Sequence, residues 1–515
     1  MSARVLFIGL DAASGALIHR FCREGVMPTF AGLERDGAVC RLSSPLTSLP
    51  GAIWPEISTG ISSGRMGEFY HPGQLHTGEA RIRPIRPEDT DPERYFWTRA
   101  SRAGRRVAAI DMPQTTVMPD LNGVQLCEWG LHDRNFGIAC HPPGLLEELR
   151  SRHGDHPIQA TACDTVADRD GLEALLEGLL RGVRAKTGLL IDVMEREPWD
   201  LFACVYGETH CGGHQFWHLL DKSHPRHPAD APPRLLNAMR RLYSAIDEGM
   251  GRVIERAGPD VTVMALASHG IGPYVGGTQL LPEVLSRLGM AAAADTPARR
   301  RLRALHGRAR YLPRGIKQVL RRALGLGALR RAQASLGVMF EPFESPATRA
   351  GVVRNNRCGA IRLNLRGREP FGSVTPGTEA DAVVDELRAE LLALTQPGTG
   401  RTIIDGVDTA EEVFGADRHS DVPDLIVRFR ADIGPIEACT SPRIGTVAVP
   451  INSPGYPRTG DHVPNTRLWA MGPGIAPGRR AADGSVLDIA PTILGALGVP
   501  AAAGLDGRPL GLRGD

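Results

Sequence analysis

The sequence predicts an α/β fold built on a doubly wound, mostly parallel β-sheet with helices on both faces. Two observations lead to this class. Short apolar runs alternate with segments of helical pattern, and the runs are continuously apolar, as in a parallel sheet covered on both sides. With 515 residues, 42% of them hydrophobic, the chain is long enough to bury such a sheet. The predicted strands are Val5–Leu10, Val107–Ile110, Asp200–Tyr206, Val261–Ala267, Asp424–Val427 and Leu468–Met471.

Helices are expected between these strands, and the clearest examples are Leu172–Val193 and Arg234–Ala257. In doubly wound sheets, ligands bind beyond the carboxyl ends of the strands. The residues that directly follow each apolar run are therefore the first candidates for function.

The overall composition excludes several classes of protein. Charged residues make up 23% of the chain and the formal net charge is +2, so nothing indicates nucleic-acid polymer binding or disorder. We expect no membrane span, because no run of about 20 apolar residues is present, and the first apolar run is too short for a signal peptide. Nine cysteines without a CxxC pair are typical of reduced thiols. We therefore expect a cytoplasmic location.

One segment differs from the rest of the chain in charge. Residues 296–340 contain twelve Lys or Arg and no Asp or Glu, and residues 314–331 have the pattern of a basic amphipathic helix. We expect residues 286–349 to form a basic helical insertion or cap on a core made of residues 1–285 and 350–515. The helix is either a cap with a solvated basic face or a contact for anionic lipid, an acidic partner or an anionic substrate.

Two of the predicted strands are followed by candidate metal ligands. Asp11 comes directly after the first strand and is either a ligand or a helix cap. After the strand that ends at Tyr206, His210 and His214 are four residues apart, so a helix would place both on one face and allow them to share an ion. His218 lies one turn further, and we expect it to pack rather than bind.

Two more histidines follow in the same kind of position. His269 comes at the end of the strand Val261–Ala267, and His462 is in a polar, glycine-flanked turn before the strand Leu468–Met471. An acid and three histidine-bearing segments at strand ends together predict a metal centre at one edge of the sheet.

The motifs and their order resemble the alkaline phosphatase superfamily, nearest its type I phosphodiesterase/nucleotide pyrophosphatase branch. The resemblance runs over nearly the full length of the chain. The segments that carry it are "FIGLDAA", "LTSLPGAIWPEISTGISSGRMGEFYHPG", "GETHCGGHQFWH", "SHGIGP", "NNRCGAIRLNLRGREPFGSVTPG", "TGDHVPNTRLWAMGPGI", "VLDIAPTILGALGVP" and "GLDGRPL".

The resemblance implies an alkaline-phosphatase-like fold with two metal ions, usually zinc, bridged by a phosphoryl group. One metal activates a Ser or Thr that attacks phosphorus, and the other stabilises the opposing oxygen. Carried over by position, one site would use His210, His214 and His462. The other would use Asp11, His269 and the nucleophile loop.

Three positions depart from the family pattern. The family usually has Asp at the position of His210 and again at the position of Ser268, and its nucleophile position falls, without gaps, on Pro50. A two-residue shift places the nucleophile on Ser48, with Thr47 as the alternative. Three neutral imidazoles bind zinc well, whereas Ser268 in place of a carboxylate weakens the second site, whose candidate ligands are then Asp11, His269 and the Ser268 hydroxyl. We expect one or two zinc ions per chain, with the second site weak, empty or filled differently.

Four further residues are candidates around the substrate. Asp461 and Glu208 each lie within two residues of a candidate ligand, and each either orients an imidazole, acts as a general base or is a solvated loop acid. Asn356 and Arg357 are candidates for anion recognition, because the Arg side chain matches a phosphoryl or carboxylate group.

The sequence therefore predicts a metal-dependent hydrolase of a small, anionic phosphate ester, of the phosphodiester or phosphonate type. Two alternatives stay open. One is a single-zinc relative that cleaves a sulfate ester or acts at carbon, and the other is a non-catalytic metal-binding member.

Overall fold

The computed structural model describes residues 4–45, 47, 51–69, 73–131, 134–158, 168–292, 342–353, 355–451, 458–480, 482–500 and 503–512. The chain divides into two compact units. The first comprises Met1–Pro72, Pro84–Val275 and Pro450–Asp515, and the second comprises Gly73–Arg83 and Gly276–Val449. Every candidate metal ligand belongs to the first unit.

The described residues form strands that we number in chain order. They are β1 (Arg4–Leu10), β2 (Ala38–Ser43), β3 (Val107–Ile110), β4 (Gly123–Cys127), β5 (Ala139–His141), β6 (Leu201–Tyr206), β7 (Val261–Ala267), β8 (Gly270–Pro273), β9 (Ala350–Val353), β10 (Gly359–Leu363), β11 (Ile404–Thr409), β12 (Leu425–Phe429), β13 (Ala438–Ser441), β14 (Gly445–Ala448), β15 (Gly460–Val463), β16 (Thr466–Met471), β17 (Arg479–Arg480) and β18 (Gly484–Ser485).

The α-helices of the described residues are numbered in the same way. They are α1 (Gly15–Arg23), α2 (Pro28–Asp36), α3 (Ile53–Thr59), α4 (Ser63–Met66), α5 (Phe96–Arg102), α6 (Leu145–His153), α7 (Arg169–Arg196), α8 (Glu208–Leu220), α9 (Pro233–Leu236), α10 (Ala238–Ala257), α11 (Leu281–Arg287), α12 (Thr378–Leu392), α13 (Ala410–Phe414) and α14 (Ile489–Ala496). Short 3₁₀ turns occur at Pro87–Asp89, Pro92–Arg94, Thr278–Leu280, Pro342–Glu344 and Val486–Asp488.

The first unit is built on one ten-stranded sheet. Its strand order is β17-β2-β16-β7-β1-β6-β3-β4-β5, and β18 also pairs with β2. Strands β7, β1, β6, β3 and β4 are parallel to their neighbours, whereas β16 and β5 run antiparallel. A mostly parallel sheet of this kind confirms the predicted class.

Each face of the sheet has its own core, as the alternation of side chains along β1 shows. Leu6, Ile8 and Leu10 pack into one core together with residues of α1, α2, α7, α8 and α10. Val5 and Phe7 point to the opposite side and pack with residues of α3, α5 and α14. Helices therefore cover both faces, as the continuously apolar strands predicted.

One predicted strand belongs elsewhere. Asp424–Val427 was expected in the parallel sheet, but the strand is Leu425–Phe429, and it lies in an antiparallel sheet of the second unit with order β11-β12-β10-β9. A short apolar run predicts a buried strand but carries no information about its partner. The predicted helix Arg234–Ala257 is divided at Asn237 into α9 and α10.

The basic insertion predicted over residues 286–349 falls largely outside the described residues, as does the whole of the basic helix 314–331, so both stay predictions. Among the described residues, no helix combines the length and the hydropathy needed to cross a bilayer.

Candidate metal centre

The candidate site lies where three neighbouring parallel strands end at the same level. Leu10, the last residue of β1, is in register with Tyr206 at the end of β6 and with Ala267 at the end of β7. The residues that follow are Asp11, the first turn of α8 and Ser268. The sheet therefore brings together segments that are far apart in sequence, as the strand-end argument predicted.

Helix α8 carries His210 and His214 one turn apart and packs unusually close to its neighbours. A Cβ atom on Gly213 would lie 2.7 Å from Cγ1 of Ile271 in β8, and one on Gly460 would lie 2.4 Å from the carbonyl oxygen of Gly213. Both glycines are therefore needed for the close approach of α8 to the β8–β15 ribbon. The glycines within the motif allow tight packing without interrupting the helix.

His462 is placed beside α8 by strand pairing. It lies in β15, opposite Ile271 of β8, so the expectation that it sits in a turn was wrong. Glycines on both sides of a polar segment are typical of a turn, which is why the sequence predicted one. The strand forms because β15 pairs with β8, some 190 residues earlier, and local sequence carries no information about that pairing.

His210, His214 and His462 form a compact cluster, which we call the three-histidine group. All three side chains are buried, and one potential ligand atom from each lies within 4.8 Å of the other two. Their ring centroids are 4.6 to 4.8 Å apart. In the described part of the chain, no other set of three or more His, Cys, Asp or Glu side chains is arranged to share one ion.

The hydrogen bonds of His214 fit a metal ligand. Its Nδ1 lies 2.7 Å from the carbonyl oxygen of Gly460 and must donate, because a carbonyl only accepts. In the neutral ring Nε2 therefore carries a lone pair, and it faces Nε2 of His462 at 3.2 Å. Tetrahedral zinc with Zn–N bonds of about 2.0–2.1 Å places its ligand nitrogens roughly 3.3 Å apart. The spacing of this pair of nitrogens therefore fits zinc.

A second set of candidates, Asp11, Ser268 and His269, lies beside this cluster, and we call it the strand-end group. His269 is close to the three-histidine group, with its ring centroid 4.4 Å from that of His462. Asp11 is buried, and its Oδ1 accepts a hydrogen bond of 2.8 Å from Nε1 of Trp54. Trp54 therefore orients this carboxylate.

Ser268 is held by hydrogen bonds to the protein on several sides. Its Oγ accepts from the backbone N–H of Ala12 at 3.2 Å and lies 2.9 Å from Nδ1 of His269. Its backbone N–H donates to Leu10, and its carbonyl accepts from the Thr466 hydroxyl at 2.6 Å. Ser268 therefore joins the ends of β1 and β7 and orients His269. Its assignment as a metal ligand stays a prediction.

Glu208 lies in a buried cluster of charged side chains, and its role at the site stays a prediction. Its Oε1 is 3.0 Å from Nε2 of His156. Burial alone would raise the pKa of Glu208, but the positive charge of Lys186 and the hydrogen bond from His156 outweigh it and lower the pKa. Lys186 is itself fully buried and pairs with Asp111 at 2.8 Å. This network ties the first turn of α8 to α7 and to the end of β3.

The other predicted site residues are placed as follows. Oδ1 of Asp461 accepts from the backbone N–H of His462 at 2.8 Å, so this carboxylate supports the strand that carries the candidate ligand. Asn356 and Arg357 lie in the second unit, in the turn between β9 and β10. Their role in substrate binding stays a prediction.

The nucleophile loop follows β2. Thr47 is buried, whereas Ser48 lies outside the described residues. The choice between the two hydroxyls as nucleophile therefore stays a prediction from the sequence.

Sequence reasoning missed two residues that support the site. Lys186 was overlooked, although a lysine amid the apolar residues of a long helix is itself a signal of a buried ion pair. Thr459 was also overlooked, and its contacts appear only in three dimensions. His218, expected to pack, is buried, and its Nδ1 lies 3.2 Å from the Thr459 hydroxyl.

Two solved structures align with nearly the whole of this chain at low sequence identity. The human ectonucleotide pyrophosphatase/phosphodiesterase 5 is 11% identical, with 98% of this chain and 97% of that chain covered and a TM-score of 0.47. Phosphonoacetate hydrolase from Sinorhizobium meliloti 1021, solved with phosphonoformate, is 11% identical, with 97% and 96% covered and a TM-score of 0.50. The second likeness shows a common fold.

The sequence itself gives the stronger evidence of descent. No curated protein matches it significantly, but the family model described as type I phosphodiesterase/nucleotide pyrophosphatase matches residues 5–457. That range contains Asp11, the whole of α8 and His269, and it ends just before β15. A match over this share of the sequence shows that the chain belongs to the type I phosphodiesterase/nucleotide pyrophosphatase family of hydrolytic enzymes, as its motifs predicted.

Proposed function

We propose that this phosphoester hydrolase acts on a small-molecule phosphodiester or phosphonate and that His210, His214 and His462 hold its principal metal ion, zinc. The observation that supports this proposal most directly is the three-histidine group itself, with three buried imidazoles whose ligand atoms lie within 4.8 Å of one another. Imidazole nitrogens are common zinc ligands in proteins, so this group offers one ion three donors of a suitable kind.

Zinc bound to these residues supplies a Lewis acid that polarises a phosphoryl oxygen and offsets the negative charge of the transition state. The protein contributes orientation. Gly460 fixes the ring of His214 through its carbonyl oxygen, and Trp54 fixes the carboxylate of Asp11. We assign Ser48 as the nucleophile from its position in the motif, with Thr47 as the alternative.

We favour a site with one tightly held metal ion over a site with two. The serine at position 268 removes the carboxylate that relatives usually carry there, and its hydroxyl is already bonded to Ala12 and lies against His269. The strand-end group therefore offers an ion one carboxylate and one imidazole, together with a serine hydroxyl that is already hydrogen-bonded.

The test compares four p-nitrophenyl substrates, a diester, a monoester, a phosphonate monoester and a sulfate, with native, chelated and zinc-reconstituted protein. We expect the diester or the phosphonate ester to be cleaved fastest, with activity lost on chelation and regained with zinc. In His214→Ala, kcat/KM should fall by about 10³-fold, because several kcal/mol of charge stabilisation are lost.

The matched control is His141→Ala, which removes a half-buried histidine whose Nε2 contacts the carbonyl oxygen of Leu121 at the far edge of the same sheet. It should keep its activity. Preference for the sulfate ester, or turnover that survives complete removal of metal, would contradict the proposal.

A further inference from the structure

Thr459, the residue before β15, occupies a central position between α8 and that strand. It is buried, with 2% of its surface exposed. Its hydroxyl donates to the carbonyl oxygen of His214 at 3.0 Å, and its backbone N–H donates to the same oxygen at 2.8 Å. The carbonyl oxygen of His214 in α8 thus accepts two hydrogen bonds from Thr459, which lies outside the helix.

The same hydroxyl also forms hydrogen bonds with His218, in the next turn of α8. Oγ1 of Thr459 accepts from the backbone N–H of His218 at 3.3 Å and lies 3.2 Å from Nδ1 of the His218 ring. A hydroxyl has one proton and two lone pairs. Because the proton is directed to His214, Nδ1 of His218 is the donor in the second contact. The hydrogen-bonding capacity of the Thr459 hydroxyl is then fully used.

The next residues of the chain complete the arrangement. The carbonyl oxygen of Gly460 accepts from Nδ1 of His214 at 2.7 Å. His462 follows two residues later on the same strand, and alternate residues of a strand project from the same face. Residues 459–462 therefore bond the backbone of His214, orient its ring and include the second candidate ligand, His462.

We propose that Thr459 is a positioning residue for the metal centre. By bonding the His214 turn of α8 to the start of β15, it sets the 3.2 Å separation between Nε2 of His214 and Nε2 of His462. This inference rests on the proposed function only in taking the three-histidine group as the metal site. Thr459 touches no reacting group in this arrangement and acts through the two imidazoles.

The test removes the hydroxyl and nearly preserves the volume. Thr459→Val should bind zinc 10- to 100-fold (about the range for lost outer-shell partners of metal ligands) more weakly, measured by competition with a chromophoric chelator. The visible spectrum of the cobalt(II)-substituted protein should also change, because the two imidazoles are no longer held at the same angle. Thr459→Ser keeps the hydroxyl and should restore both the affinity and the spectrum.

Thr492 provides a matched control in the same unit. It is buried in α14, its hydroxyl donates to the carbonyl oxygen of Asp488 at 2.6 Å, and it accepts from the backbone N–H of Leu510 at 2.8 Å. Thr492→Val therefore loses two hydrogen bonds of a buried hydroxyl, whereas Thr459→Val loses three. It should lower the urea midpoint of the metal-free protein, as Thr459→Val does, but leave the zinc affinity unchanged.

The inference is overturned if Thr459→Val binds zinc within about threefold of the native protein with an unchanged cobalt spectrum, well short of the loss expected for an outer-shell partner. It is also overturned if Thr492→Val weakens zinc binding equally. Failure of the native protein to bind zinc or cobalt would instead overturn the proposed function, and the role of Thr459 with it. The zinc titration of the native protein therefore distinguishes failure of the proposed function from failure of the Thr459 inference alone.

Discussion

The three-histidine group and the strand-end group lie at the same edge of one sheet, yet they differ in what surrounds their donor atoms. In the first, the ring of His214 is fixed through Nδ1, which leaves Nε2 facing His462. In the second, the Ser268 hydroxyl is bonded to Ala12 and lies against Nδ1 of His269, while Trp54 bonds Asp11. Residue type alone does not make a metal site, because the neighbours decide which donor atoms remain for an ion.

The largest expected effect separates the two groups directly. His462→Ala should lose its zinc and reduce turnover of the preferred substrate by about 10³-fold, because one of three ligands is removed. His269→Ala should keep its zinc, with turnover reduced about 10-fold as a neighbouring group is lost. Metal content by mass spectrometry and steady-state kinetics measure both. Equal loss of zinc in the two variants would show that the two groups do not differ in metal binding.

A smaller effect is expected when the missing carboxylate is restored. Ser268→Asp should raise the metal content from about one ion per chain to about two, because a carboxylate adds an anionic ligand beside His269 and Asp11. Without metal, the new buried charge should lower the Tm, and zinc should raise it again. Ser268→Ala is the control, with no second ion. A folded aspartate variant that still holds one ion would show that something other than residue 268 limits the second site.

The smallest effect concerns His218, which lies one turn beyond His214 on α8 and outside the three-histidine group. Burial, followed by the positive charges of Arg226 and His224, lowers the pKa of His218 to about 3. Because the folded-state pKa lies below the unfolded value of about 6.5, the neutral ring stabilises the fold fully above that pH, and this contribution is lost as the pH falls towards 3.

Urea unfolding of the metal-free protein between pH 7 and pH 5 tests this. The native protein should lose up to about 1.4 kcal/mol per pH unit below pH 6.5 from this group. His218→Gln should lose less with falling pH, although it is less stable at pH 7. Parallel curves for the two proteins would show that His218 is not held neutral by its surroundings.

Sequence reasoning reached the fold class and the pair His210 and His214 because both depend on local pattern. The composition of the apolar runs that form β1, β6 and β7 is enough to predict that they are buried. The four-residue spacing of His210 and His214 is enough to predict that they share one face of a helix. His462 joined this pair only through the family resemblance, and Thr459 was missed, because the pairing of β15 with β8 joins residues about 190 positions apart. The partner of Glu208 could not be predicted either, since His156 lies 52 residues earlier, and the role of Glu208 in the reaction stays a prediction.

We propose that His210, His214 and His462 hold one zinc ion tightly and that the strand-end group holds an ion weakly or not at all. The decisive experiment is an anomalous difference map, collected at the zinc edge from crystals of protein supplied with one equivalent of zinc. We expect a single peak within about 2.0–2.2 Å of a nitrogen from each of the three rings. A principal peak between Asp11 and His269, or two equal peaks, would contradict it.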